Sequence, residues 1–131
     1  MISLWMYFLS IFCMNANQSN IDCSALKEGK FKSAIKLEDG SPFTTIITRK
    51  KNLQYEEILE YNVKAVFKVQ WVSDCTYNLI EPKVIKGRYP ALTPDLKLQV
   101  TIIGINDDGY RVSITSSSYE GEKEFKLYYN K

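Results

Sequence analysis

Between Val63 and Leu79 the chain alternates twice with a period of two, and antiparallel strands satisfy that pattern best. Val63, Ala65, Phe67, Val69 and Trp71 fall on one face, with Lys64, Val66, Lys68, Gln70 and Val72 on the other. Ser73 and Asp74 supply a turn, after which Cys75, Tyr77 and Leu79 resume the alternation. Successive side chains of a strand point to opposite faces, so this spacing marks two half-buried strands joined tightly. Phe67, Trp71, Tyr77 and Leu79 are expected as core anchors, together with Phe31 from an earlier strand.

The same grammar covers most of the chain. Lys30 to Leu37 alternates, Glu38-Asp39-Gly40-Ser41-Pro42 reads as a turn, and Phe43 to Arg49 is rich in Thr and Ile. Gln54 to Glu60 has helical propensity, but its place between strand patterns with short links assigns it to a strand. A loop with two prolines runs from Lys86 to Asp95, and Leu96 to Ile105 alternates again. Asn106-Asp107-Asp108-Gly109 reads as a hairpin turn before Tyr110, Val112 and Ile114. Glu120-Gly121-Glu122 is expected to turn the chain into Phe125, Leu127 and Tyr129. The fold class is therefore all-β, a single antiparallel meander of about eight strands. Such a meander closes into a lipocalin-like barrel that is filled or holds one small ligand, with a β-sandwich as the alternative. Gly29-Lys30-Phe31 is similar to the glycine-x-aromatic element near the start of lipocalin-like barrels.

Residues 1–16 differ from the rest. Ile2 to Met14 is almost wholly apolar and uncharged, and a polar stretch follows from Asn15 to Asp22. An apolar run of this length is short for a membrane span and suits a signal peptide ending near Ala16. That leaves residues 17–131 as one β domain with no transmembrane helix, exported to the periplasm or beyond. Ile11 and Phe12 fit lipid attachment at Cys13 poorly. Of three cysteines, Cys23 and Cys75 remain after cleavage, and an even pair in an exported domain favours a disulfide. A cytosolic chain would instead keep two buried thiols.

Several chemistries have no support in the residues. The chain has no histidine, so the usual general base is missing and Ser–His or Cys–His pairs are excluded. No cofactor, no metal site and no catalytic residue is expected: the glycines are isolated in turns, and two cysteines without histidine make zinc a poor fit. A net charge of +2 from scattered lysines argues against a nucleic-acid partner.

One polar cluster stands out. If Lys51-Asn52 is a hairpin tip, Arg49 lies opposite Gln54 and diagonal to Glu56, all on one face with Phe43 and Ile47. Turned inward, these three residues either form an Arg49–Glu56 charge pair that plugs the barrel or anchor a ligand's head group. Tyr89, Tyr119, Tyr128 and Tyr129, at loops or the last strand, are candidates to line a contact surface.

Across most of the chain after residue 16, Cys23, Gly29 with Phe31, Arg49, Gln54 with Glu56, and Trp71, Asp74, Cys75, Tyr77 and Leu79 compose a pattern. It resembles a family of small exported bacterial β proteins of no established function. Members often carry a topoisomerase IV subunit label. This chain has no ATP-binding glycine motif, basic stripe or sufficient length to support it. The resemblance implies the fold and export, and no activity. The expectation is a non-catalytic barrel binding a small apolar ligand or an envelope partner; the alternative is an interaction protein with a filled core, and an enzyme is the least favoured reading.

Overall fold

The computed structural model describes residues 21–130. The expected signal peptide, residues 1–16, lies outside them. A 3-10 turn, Ser24–Leu26, leads into eight strands: β1 (Gly29–Lys36), β2 (Pro42–Lys50), β3 (Leu53–Ile58), β4 (Val63–Trp71), β5 (Thr76–Lys86), β6 (Leu98–Asn106), β7 (Gly109–Ser116) and β8 (Tyr119–Tyr129). Each pairs antiparallel with the next, and β1 pairs with β8 to close a barrel. The all-β meander is thus a closed eight-stranded barrel. A sandwich is ruled out, because closure leaves no second sheet.

Alternation places the interior. On β4, Val63, Ala65, Phe67 and Val69 are buried while Lys64, Lys68 and Gln70 are exposed. Phe31, Ile47, Tyr77, Leu79, Val100, Ile102, Tyr110, Val112 and Leu127 join Phe67 and Val69 in one core. Trp71 lies at the end of its strand and is only half-buried, packed on Tyr77 at 4.6 Å between ring centres, with the Lys27 ammonium over its ring 5.1 Å from the centre. The strand pattern puts Trp71 on the inward face, but its position at the barrel's rim leaves one side to solvent.

The turns follow from local chemistry. Lys51 and Asn52 both adopt positive φ, 53° and 62°, the geometry that matches the twist of a two-residue hairpin. The last hairpin differs from the sequence expectation. Its turn lies at Ser117-Ser118, where Ser116 Oγ accepts from the Ser118 amide at 3.1 Å, and Glu120-Gly121-Glu122 belongs to β8. Gly121 takes a φ of 81° within the strand, beside a shift in the β7–β8 register, so it serves a strand irregularity rather than a turn.

Because the connections alternate, the barrel has two unlike ends. One end gathers the Ser24–Leu26 turn with the β2–β3, β4–β5 and β6–β7 hairpins. A Cys23–Cys75 disulfide ties the 3-10 turn to the β4–β5 connection there, with Cα atoms 5.4 Å apart. The other end carries the β1–β2, β3–β4 and β7–β8 turns and the 87–97 loop.

Candidate functional site

A cavity of about 290 Å³ occupies the barrel interior. Its middle is walled by Ile47, Phe67, Leu79, Val100, Val112 and Leu127. Toward the end opposite the disulfide the wall passes to Phe43, Tyr89, Leu92, Tyr119 and Phe125. Tyr89 and Leu92 come from the 87–97 loop. Tyr89 stacks on Tyr61 at 6.2 Å, and Tyr61 meets the edge of Phe43 at 5.6 Å, so this mouth has an aromatic rim.

The polar part of the wall is small and concentrated. Ser33, Thr45, Gln54, Glu56 and Tyr77 contribute to it, and among the described residues no lysine or arginine does. Gln54 and Glu56 sit there because of register: Gln54 opposes Arg49 on β2 and Phe67 on β4, while Glu56 opposes Ile47 and Ala65, all inward positions.

Arg49 lies beneath this wall, 1% exposed. Its Nε donates to Gln54 Oε1 at 3.0 Å, and Nη1 donates to the Leu26 carbonyl of the 3-10 turn. Nη2 donates to the Tyr77 hydroxyl at 2.8 Å and the Tyr110 hydroxyl at 3.0 Å. The guanidinium carbon also lies 4.7 Å from the Tyr77 ring centre and 5.0 Å from that of Phe31. Burial opposes the Arg49 charge, but the Tyr77 and Tyr110 hydroxyls and Glu56 outweigh it, and the group stays protonated. Burial likewise pushes both of those hydroxyls up, so they remain neutral donors and acceptors.

The expected Arg49–Glu56 charge pair is not direct. Gln54 stands between them: its Oε1 accepts from Arg49, and its Nε2 donates to Glu56 Oε2 at 2.7 Å. The ion pairs among the described residues, Lys64–Glu57, Lys68–Glu81 and Lys126–Asp108, all lie at the surface. Geometry explains the relay. Arg49 and Glu56 are diagonal across the ladder, about 7–8 Å apart at Cα, and the amide of the directly opposed residue fills that gap. Arg49 therefore closes the floor of the cavity, while Gln54 and Glu56 face into it. Burial raises the Glu56 carboxyl above its ordinary range, against the lowering pull of the Gln54 hydrogen bond and the Arg49 charge.

Of the other sequence candidates, Phe31, Phe67, Tyr77 and Leu79 are buried, and Phe67, Tyr77 and Leu79 also line the cavity. Tyr89 and Tyr119 line its mouth. Tyr129 packs on Phe31 at 6.3 Å near the floor, whereas Tyr128 is exposed. Sequence reasoning missed Tyr110 and Leu26 as partners of Arg49. For Tyr110 a signal existed, since it alternates with Val112 and Ile114; for the Leu26 carbonyl there was none. Among the described residues, no cluster of three or more His, Cys, Asp or Glu side chains forms a metal site. Comparison of the chain with protein-family models, curated proteins and solved structures finds no match.

Proposed function

We propose that this protein is an exported, non-catalytic, lipocalin-like barrel that binds a small apolar ligand. The cavity carries this reading: an apolar interior with a few convergent polar groups, near the lower end of the roughly 300–1,000 Å³ usual for small-molecule sites. A protein needing only a filled core has no use for such a void, because interiors normally pack to crystal density. The Cys23–Cys75 disulfide supports export, since such bonds persist in oxidising compartments. The resemblance of the Trp71–Leu79 motif to a family of small exported β proteins accords with export. An envelope partner remains the competing role.

Native mass spectrometry on protein purified from its source tests the reading. A small molecule retained on the folded chain and released on unfolding is the expected result. A filling substitution, Val112→Trp, should abolish retention while leaving the β circular-dichroism spectrum intact. Absence of any retained molecule, together with no response to an environment-sensitive apolar dye, would overturn the proposal.

A further inference from the structure

We infer that the ligand carries a hydrogen-bond-donating head group, a hydroxyl or an amine, and seats it on Glu56; this rests on the carrier reading above. Glu56 is the carboxylate on the cavity wall, and its Oε2 is already taken by Gln54 Nε2 at 2.7 Å. Among the described residues Oε1 has no hydrogen-bond partner. No fully shielded side-chain oxygen or nitrogen lacks one, so Oε1 keeps accessible surface. Glu56 shares the inward face of β3 with Gln54 and Ile58, and that surface is therefore cavity surface.

The nearest cation does not compete for the ligand. Arg49 is absent from the wall, and its N–H groups are directed at Gln54, Leu26, Tyr77 and Tyr110. A carboxylate head entering the cavity would thus meet an acceptor oxygen and find the guanidinium behind the Gln54 amide. Two carboxylates in one dry site disfavour each other's charged form. A hydroxyl or ammonium would instead supply the donor that Oε1 lacks, and its apolar body would extend along Ile47, Leu79 and Val112 toward Tyr89 and Leu92.

The test uses the disulfide-bonded protein and calorimetric titration with octan-1-ol, octylamine, octanoate and toluene, the last having no head group. Octanol and octylamine should each bind at least about tenfold tighter than octanoate, the scale of one charge-assisted hydrogen bond gained or lost. Glu56→Gln, nearly equal in size, should weaken octylamine about tenfold and bring octanoate closer to the other two. Octanoate binding as well as or better than the alcohol and amine would overturn the head-group inference. So would a ranking unchanged in Glu56→Gln. Toluene binding with no preference among the three headed probes would leave the carrier reading standing and remove this inference alone. Failure of all four probes to bind would overturn both.

Discussion

Arg49 survives inside an apolar barrel because its charge is held by a carbonyl, an amide and two hydroxyls, with two aromatic rings alongside. Burying a charge is tolerable only when such partners compensate its lost hydration. Arg49→Met would strip a donor from Gln54, Leu26, Tyr77 and Tyr110 together and leave Glu56 without its nearest positive charge. The expected loss is about 3–5 kcal/mol, read from the denaturant midpoint at unchanged slope. Glu56 has an opposite kind of sensitivity. Its carboxyl is raised above 4.5 in the folded protein, chiefly by burial, so the folded state holds this proton more tightly than the unfolded chain. Protonated Glu56 therefore adds stability that is complete below the unfolded value and is lost as pH rises through the elevated folded one. Arg49, Tyr77 and Tyr89 are the ionisable groups coupled to it, and none of these three titrates in that window. Subtracting the stability curve of Glu56→Gln from that of the natural chain should leave a difference that becomes less favourable from acid to neutral pH. A flat difference would mean that Glu56 is solvated.

Hairpins decide which of these residues meet. The β2–β3 register was readable because two polar residues between strand patterns leave one tight solution, and Arg49 opposite Gln54 follows from it. The relay through Gln54 was not readable, because a period-two pattern assigns faces and leaves side-chain reach open. Glycine misled at the β7–β8 turn: Gly121 marks a strand irregularity, while two serines make the turn through a hydroxyl. Gly109 has a different duty, close approach. A Cβ there would stand 1.9 Å from the Leu127 carbonyl oxygen and 2.8 Å from the Tyr128 Cα, backbone atoms that cannot swing aside. Gly109→Ala should cost about 3 kcal/mol, the upper part of the range for overpacking, measured by thermal unfolding. The disulfide acts at the same scale by fixing the 3-10 turn whose Leu26 carbonyl receives Arg49. Removing it with Cys23→Ala and Cys75→Ala should cost about 4 kcal/mol, the chain-entropy value for a loop of about fifty residues. A loss under about 1 kcal/mol would show that the turn holds its place without the bond.

As a whole, the molecule has a covalently tied end with a polar floor and an end rimmed by aromatics, with the cavity between. The barrel was legible from alternation alone, and the cavity was not, since period two marks an inward face whether or not the side chains meet across it. Closure is also uneven. Between β5 and β6 the ladder runs only from Thr76 to Leu79 on one strand and Leu98 to Thr101 on the other, although β5 continues to Lys86. Ile80, Lys83, Val84 and Lys86 keep β4 partners on one side, with two register shifts between them. On the other side a stretch of strand has no β6 partner among the described residues, and unpaired strands recruit other chains. This stretch carries what discourages that: the exposed Glu81, Lys83 and Lys86, beside a buried Pro82 that has no N–H to offer. Pro82→Val with Lys83→Thr should leave the monomer folded at low concentration yet drive concentration-dependent association in analytical ultracentrifugation. Pro82 and its charged neighbours in β5 then read as a guard on the gap in the wall, keeping the protein from polymerising through the seam that its own closure leaves open.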